Sequence, residues 1–350
     1  MDKYDELQNR ICSGWNHWNT RSLLSHVHLP EAFAVNLGIL SYAKPGYMKE
    51  ALLGREDVVP GAKAYDGSYS DLTVTYCQTT MRVQTATDGE ELVILVEPEK
   101  TAHKPALLTI ESGVLWNRPG TLTRDGETLT GHFDSGDIVV HTTGRCLEEP
   151  NVAAQTPYLA IPLTASVGIS TGSQRSLEEI RTIIADQRTR LEESQRKYAH
   201  KSETHRAAQA CLAWNLIFDP TYDRAVMPVC RIWNLSRGGY VLFCWDTFFA
   251  AWLAAMDSKD LAYANCVEVL REKTPDGFVA NNTQASGRKS FDRSQPPVGS
   301  ITVLELFKRY GDRWFVEETF EDLLGWNRWW TCRDYNGYLC WGSTPFEPVT

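Results

Sequence analysis

One acidic residue, Asp246, is the first candidate for chemistry in this sequence. Between Tyr240 and Ala255 no other side chain is ionised at neutral pH. The aromatic residues around it are Phe243, Trp245, Phe248 and Phe249. Low-dielectric surroundings favour the neutral form of a carboxylic acid, and an acid that stays protonated near neutral pH can donate a proton in catalysis. The stretch therefore predicts a general acid at Asp246.

The same residue also has a structural interpretation. Asp is a favoured N-cap, so Asp246 could cap a helix that begins at Thr247. The two roles are compatible, because an Asp at a helix start can cap the helix and still face a substrate. The local pattern leaves both interpretations open.

The composition indicates a soluble globular protein that does not bind nucleic acid or membranes. Charged residues make up 23% of the 350 residues and the net charge is -9, which is ordinary for a globular chain and unfavourable for polyanionic partners. No apolar run approaches the roughly 20 residues that cross a bilayer. The N-terminus lacks a signal segment. We therefore expect a cytoplasmic protein with no nucleic-acid or membrane partner.

Metal and cofactor chemistry have little support in the sequence. The nine cysteines show no CxxC spacing and no paired Cys/His pattern, so a structural zinc site is not expected. His26 and His28 lack a third ligand, and a structural role is the better interpretation of both. No glycine fingerprint for a nucleotide is present. We expect no metal and no cofactor.

Tryptophan is in informative excess, with twelve residues that occur in local clusters. Flat aromatic faces stack on sugar rings and also fill cores. The first cluster lies in Trp15-Asn-His-Trp-Asn-Thr-Arg21, where Trp15, Asn16, Trp18, Asn19 and Arg21 are side chains typical of sugar binding. Core filling remains the more common role for any single Trp.

Hydrophobic periodicity divides the chain into a β part and an α part. From Ser70 to about Thr171 the period is two, which predicts an antiparallel sandwich or barrel. Ser176-Leu-Glu-Glu179 is a capping box that begins a charged linker helix. The predicted domains are a β-sandwich over 1–172, a linker helix over 173–202 and a helical domain over 203–350.

The last domain contains about five predicted helices, separated by two long polar and aromatic loops. Gly311 is expected to end the fourth of them. The predicted helices are 203–217, 247–256, 259–273, 297–310 and 312–332, and the predicted loops are 218–243 and 274–295.

Several stretches together resemble a family of glycosidases. They are Trp18-Asn-Thr-Arg-Ser, Gly239-Tyr-Val-Leu-Phe-Cys-Trp-Asp-Thr-Phe-Phe-Ala-Ala, Ser294-Gln-Pro-Pro-Val-Gly-Ser, Trp326-Asn-Arg-Trp-Trp and Gly337-Tyr-Leu-Cys-Trp-Gly-Ser. The chain resembles, over essentially its whole length, glycosidases with an N-terminal β-sandwich, a linker helix and an (α/α)6 barrel. The likeness is greatest to glycoside hydrolase family 63 and to related bacterial glucosidase-like and mannosylglycerate-hydrolase-like proteins.

The resemblance implies that Asp246 is the general acid of an inverting glycosidase. The implied substrate is an α-glucoside or a related α-linked oligosaccharide. Inverting enzymes use a second carboxylate, roughly 6.5–9.5 Å away, as the base for the attacking water. In the family that base lies beyond the segment that matches residues 326–343, and no position here corresponds to it. Two other acids are candidates for that role, but Asp292 is better interpreted as a substrate contact and Glu305 as a structural or outward-facing acid.

The number of predicted helices also indicates an incomplete barrel. Six helical hairpins need twelve helices, whereas about five are predicted after Lys201, and seven more of average length do not fit in the remainder. The expected fold is therefore a β-sandwich, a linker helix and a partial (α/α)6 six-hairpin toroid, truncated at its C-terminus and exposing apolar helix faces.

The predicted substrate-binding residues are those with donors suited to sugar hydroxyls or rings suited to stacking. They are Trp245, Arg231, Trp233, Asn282, Lys289, Asp292, Arg293, Gln295 and Trp341. Gln295 has the best claim among the polar residues because the family motif covers it. Two other classes stay open: a non-catalytic carbohydrate-binding remnant, and a polysaccharide lyase or isomerase-type enzyme on an α/α toroid. Glycan binding without turnover would indicate the first, and an unsaturated product would indicate the second.

Overall fold

A computed structural model describes residues 2–44, 46–55, 57–104, 106–234, 239–331 and 334–340. The chain forms two compact units. Residues 12–214 form one unit, which we call the β unit. Helix α1 (Lys3–Ile11) and the residues from 215 onward form the other, which we call the helical unit. Among the described residues, no helix has the length and apolar character needed to cross a bilayer.

The residues of the β unit that the structure describes form fourteen strands in two antiparallel sheets. They are β1 (Trp15–Asn16), β2 (Ser25–His28), β3 (Phe33–Ser41), β4 (Gly46–Met48), β5 (Val58–Lys63), β6 (Tyr69–Tyr76), β7 (Thr79–Asp88), β8 (Glu91–Lys100), β9 (Ala106–Val114), β10 (Thr121–Asp125), β11 (Thr128–Phe133), β12 (Gly136–Thr142), β13 (Tyr158–Pro162) and β14 (Val167–Thr171). The first sheet has the order β1-β2-β3-β9-β13, with β4 paired to β3. The second has the order β10-β11-β12-β14-β8-β7-β6-β5.

Alternating side chains of the two sheets fill one core. Val35, Leu37 and Ile39 of β3 are buried in the same cluster as Ile94 and Val96 of β8. Because side chains on a strand point alternately to opposite faces, a period of two gives each sheet one apolar face that packs on the other. The predicted antiparallel β-sandwich is confirmed at this level of detail.

Helix α2 (Leu177–Arg196) packs on the β unit along most of its length. Ser176 and Glu179 form the predicted capping box. The buried residues Ile180, Ile184 and Leu191 lie in a cluster with Val93 and Leu95 of β8, among others. The apolar stripe of this otherwise charged helix therefore belongs to the fold of the β unit. A 3-10 turn (Ala199–Lys201) then leads to α3 (Ser202–Asn215).

The helical unit combines helices with short strands. Its helices are α4 (Cys244–Ala254), α5 (Lys259–Arg271), α6 (Gly299–Tyr310) and α7 (Arg313–Thr331), in addition to α1. Its strands are β15 (Ile217–Asp219), β16 (Arg224–Val226), β17 (Cys230–Asn234), β18 (Gly239–Phe243), β19 (Asn282–Gln284), β20 (Asp334–Tyr335) and β21 (Tyr338–Leu339). The prediction of plain loops over 218–243 and 274–295 is therefore wrong, because β15 to β19 lie within them.

Aromatic packing holds the helices together. Phe248 of α4 stacks on Trp326 of α7, with ring centroids 6.0 Å apart. Gly299 begins α6 at this contact, and a Cβ added there would lie 2.8 Å from the Phe248 ring. Gly311 follows α6 in the left-handed conformation with φ 74°, which is the helix end that the sequence predicts.

The N-terminal helix α1 groups with the helical unit, although its residues were placed in the predicted domain 1–172. The Tyr4 hydroxyl donates to Glu268 over 2.5 Å. Gln8 exchanges hydrogen bonds with the backbone of Ala225, at 3.0 Å and 3.3 Å. These contacts join residues more than 200 positions apart, which a local sequence pattern does not indicate.

Apolar side chains are exposed on three helices of this unit, as expected. Trp252 and Leu253 of α4, Ile301 and Leu304 of α6, and Phe320 of α7 are each more than two-fifths exposed.

Candidate active site

Asp246 lies in the first turn of α4. Strand β18 ends at Phe243, which is the N-cap residue and makes no side-chain cap hydrogen bond. The helix begins at Cys244, three residues earlier than predicted, and the Cys244 N–H donates to the carbonyl of Asn281 over 3.0 Å. The prediction that Asp246 caps a helix at Thr247 is therefore wrong. A carboxylate in the first turn still interacts favourably with the helix dipole.

The predicted aromatic enclosure of Asp246 is not found. Asp246 itself is partly exposed. Trp245 is 37% exposed and Phe249 is 41% exposed, whereas Phe248 is fully buried. Phe248 lies two residues after Asp246, a spacing that places it on a different face of the helix, and it is buried in the core. Within the described residues, the Asp246 carboxylate takes part in no hydrogen bond or ion pair.

Gln295 fixes the start of α4. Its side-chain Oε1 accepts a hydrogen bond from the Trp245 N–H over 2.9 Å, one of the N–H groups that a helix start leaves without a partner. Ser294 holds the same loop, because its hydroxyl donates to the Val279 carbonyl over 2.6 Å and accepts from the Trp326 indole over 3.2 Å. The Ser294-Gln295 pair thus joins the loop to the helix that carries Asp246.

Two more predicted residues lie on the sheet β17-β18-β19, next to Phe243 at the start of α4. Asn282 of β19 is paired with Phe243, the residue before α4, and is partly exposed. Trp233 of β17 is 59% exposed, and its ring centroid lies 5.0 Å from that of Phe243. We call Trp233, Trp245, Asp246, Asn282 and Gln295 the Asp246 cluster.

Two predicted contacts serve the protein interior instead. Arg231 is fully buried, and its burial lowers its pKa to about 9. Its backbone N–H donates to the Asn215 side chain over 2.9 Å. The Lys289 ammonium lies 3.0 Å from the Glu272 carboxylate and donates to the Glu272 carbonyl over 2.6 Å. Neither side chain is placed in the Asp246 cluster, because Arg231 is fully buried and Lys289 bonds to the buried Glu272.

The remaining predicted residues are engaged with each other or lie elsewhere. Asp292 forms an ion pair with Arg293, and its side chain is only 10% exposed. Glu305 forms an ion pair with Lys308 over 2.7 Å on α6, which fits the structural role predicted for it. Trp341 lies outside the described residues.

A buried ionic network around Arg224 was not predicted. Arg224 lies 2.7 Å from Glu268, 3.1 Å from Glu272 and 3.6 Å from Asp219. Tyr240 donates its hydroxyl to Asp219. Burial opposes the charge on Arg224, but the neighbouring Tyr240 and Glu268 outweigh it and raise the Arg224 pKa.

Two local signals could have indicated this network. Asp219 and Arg224 flank the turn of a hairpin and are cross-strand partners. Glu272, the C-cap residue of α5, follows Glu268 by four residues, a spacing that places both on one helix face. Among the described residues, no group of three or more His, Cys, Asp or Glu side chains could hold a metal ion.

Comparison with known families identifies one segment. Residues 239–347 match a family model described as the mannosylglycerate hydrolase MGH1-like glycoside hydrolase domain. The match begins at the first residue of β18 and includes Trp245, Asp246, Asn282 and Gln295 of the Asp246 cluster. No curated protein matches the chain.

Three solved structures give remote matches. A family GH92 inverting mannosidase from Bacteroides thetaiotaomicron has 14% identity and a TM-score of 0.37, over 83% of this chain and 45% of that one. A polysaccharide lyase has 8% identity and a TM-score of 0.26, over 84% and 61%. A family GH92 α-mannosidase from the same bacterium, in complex with mannoimidazole, has 10% identity and a TM-score of 0.32, over 99% and 67%.

The chain thus spans about half the length of the first of these structures. The segment that carries Asp246 is similar to a glycoside hydrolase domain.

Proposed function

We propose that this protein hydrolyses glycosidic bonds, with Asp246 as the general acid. One observation carries the proposal: the segment that matches a glycoside hydrolase domain presents a partly exposed carboxylate that no described residue engages. A carboxylate that must approach a glycosidic oxygen has to be accessible and unpaired before the substrate binds. Asp246 meets both conditions.

The Asp246 cluster supplies suitable contacts for a sugar. The exposed rings of Trp233 and Trp245 offer flat apolar faces for stacking. Asn282 and Gln295 carry amide donors and acceptors that match hydroxyl groups. The proposed substrate is an α-glucoside or a related α-linked oligosaccharide. A mannosyl or glucosylglycerate-type glycoside is the second candidate.

The proposed chemistry is an inverting hydrolysis. Asp246 donates its proton to the glycosidic oxygen as that bond breaks, and a water molecule attacks the anomeric carbon from the opposite face, with a second carboxylate as base. The helix dipole at the start of α4 favours the negative charge that Asp246 carries after the transfer. We further propose that α4 to α7 form part of a six-hairpin toroid related to that of glycoside hydrolase family 63.

The first experiment measures sugar release from nitrophenyl α-glucoside, nitrophenyl α-mannoside and mannosylglycerate. Asp246→Asn should lower kcat/KM by about 10²–10⁴-fold, the usual contribution of a positioned general acid. Asp292→Asn is the matched control, because Asp292 is already paired with Arg293. An Asp246→Asn protein with wild-type rates would contradict the assignment.

A second candidate function is carbohydrate binding without catalysis. It is favoured by the ion pairs of Asp292 and Glu305, which leave neither of these carboxylates free to act as the base. Saturable binding of the same glycosides without sugar release would support this alternative.

A further inference from the structure

Two neighbouring cavities in the β unit have no part in the proposed reaction. One has a volume of about 390 Å³ and the other of about 310 Å³. Both are lined by Tyr47, Lys49 and Glu50, so they lie side by side on the surface of this unit. Each reaches the lower end of the size range of ligand pockets, about 300–1,000 Å³. We call the pair the Tyr47 groove.

Several polar side chains of the smaller cavity are available to a ligand. Asn36, Lys49 and Gln155 line it, and none of their side chains makes a hydrogen bond or ion pair within the described residues. Two amides and an ammonium provide donors and acceptors that can bond to hydroxyl groups.

The charges along the groove are balanced. Arg21 forms an ion pair with Glu50 over 3.0 Å, and Glu111 accepts a hydrogen bond from the Tyr47 hydroxyl. Lys49 is the second positive charge at the wall. Arg55 and Asp57 of the larger cavity add one charge of each sign, and this balance favours a neutral polyhydroxylated ligand over an anion.

Aromatic rings lie at the same place. Tyr47 is held by its bond to Glu111 and lies 3.1 Å from the Thr109 hydroxyl. Tyr76 lines the larger cavity. Tyrosine rings next to amide groups can stack on a sugar and leave its hydroxyls to the polar side chains.

The residues of the first tryptophan cluster have two different locations, some in the interior and others at the wall of the groove. Trp15 and Trp18 are buried in the interior, so they are not sugar platforms. Asn19 and Arg21, from the same stretch, line the smaller cavity. The Asn19 side chain accepts from the Arg21 N–H over 3.0 Å and donates to Ser25 over 3.2 Å, which fixes the turn that presents Arg21.

We propose that the Tyr47 groove is a binding site for neutral oligosaccharides, built entirely within the β unit. The glycan class of the ligand rests on the proposed function, whereas the location rests on the groove itself. Asn36 and Gln155 bond to sugar hydroxyls, and the rings of Tyr47 and Tyr76 carry the apolar faces of the sugar.

The test uses the full chain with Asp246→Asn, so that hydrolysis does not consume the ligand. Maltotriose and mannobiose are titrated, and Kd is measured by calorimetry. Asn36→Ala and Gln155→Ala should each raise the Kd of the bound sugar by about three- to tenfold, as expected for one lost hydrogen bond. Gln174→Ala is the matched control, because Gln174 is an exposed residue of the same unit outside both cavities.

The outcomes separate this site from the Asp246 cluster. Binding that survives Trp233→Ala and weakens with Gln155→Ala supports the groove. Binding that is lost with Trp233→Ala and is unaffected by Asn36→Ala and Gln155→Ala overturns it, as does the absence of saturable binding of both sugars. A failure of the proposed function appears instead as a lack of sugar release from the wild-type chain, which these titrations do not measure.

Discussion

The helical unit contains carboxylates in two opposite environments, one buried and paired and the other partly exposed and unpaired. Glu268, Glu272 and Asp219 are buried and surround Arg224. Asp246 is partly exposed, and no described residue pairs with it. A charge removed from water must be paired, and a broken buried pair is strongly destabilising. An acid that must reach a substrate has the opposite requirement, so the contrast separates structural carboxylates from a chemical one.

Lys289 is one link between the two regions. Lys289 bonds to Glu272 of the Arg224 network and lies on the same loop as Gln295. Gln295 in turn bonds to the Trp245 N–H beside Asp246. The buried network can therefore act as a support for the Asp246 cluster, with Lys289 as a positioning residue and not as a sugar contact.

The largest expected effect comes from breaking the network. Arg224→Met leaves three buried carboxylates without their common partner and should lower the free energy of unfolding by about 3–5 kcal/mol. Urea denaturation measures the change. Arg313→Met is the matched control, because the Arg313–Glu317 pair is highly exposed and such pairs contribute little. Equal free energies of unfolding for the two variants would show that the buried Arg224 network stabilises the fold no more than an exposed ion pair.

The buried imidazole of His26 in the β unit makes the stability of this unit depend on pH. Burial and then the nearby Lys63 lower the pKa of His26 to about 3. The unfolded chain binds this proton below about pH 6.5, so the stability is complete above that pH and is lost as the pH falls towards 3.

Between pH 7 and pH 5 the loss should be about 2 kcal/mol. His26→Phe should reduce this dependence when urea midpoints are measured at both pH values. An unchanged pH dependence would show that His26 is not responsible.

Lys289 tests whether the network supports the site. Lys289→Met should lower the free energy of unfolding by about 1–2 kcal/mol, because it removes two bonds to Glu272. It should lower kcat more than it changes KM, since the loop no longer holds the start of α4 in place. A higher KM with unchanged stability would instead indicate that Lys289 contacts the sugar.

Gln295 gives the smallest expected effect. Gln295→Ala removes the acceptor of the Trp245 N–H and should lower the free energy of unfolding by about 0.5–1.5 kcal/mol. Gln295→Glu keeps an acceptor at this position and should restore the stability in thermal or urea unfolding. A failure of Gln295→Glu to restore it would show that the bond to Trp245 is not what stabilises the helix start.

Much of the fold was predictable because its signals are local. The period of two from Ser70 to about Thr171 predicted the sandwich, the Ser176–Glu179 box predicted the start of α2, and Gly311 predicted the end of α6. The strands β17 to β19 were missed because short runs next to glycine and polar residues read as loops. The start of α4 was misplaced because its cap comes from Phe243 and the Asn281 carbonyl, and no capping side chain marks it in the sequence.

The candidate site was predictable only in part. Gln295 bonds to the Trp245 N–H beside Asp246, and Trp233 and Asn282 lie next to Phe243, the residue before α4. Arg231 and Lys289 have equally suitable chemistry, but Arg231 is fully buried and Lys289 pairs with Glu272 on another element of the fold. Which polar side chains face a substrate and which are bound in the core depends on such long-range contacts.

The most direct test of Asp246 as the general acid compares leaving groups. A substrate with a poor leaving group, such as a methyl α-glycoside, needs protonation as the bond breaks, whereas a dinitrophenyl glycoside departs with little assistance. Asp246→Asn should therefore lose about 10²–10⁴-fold in kcat/KM on the first and far less on the second. Equal losses on both substrates, or no loss on either, would contradict the account.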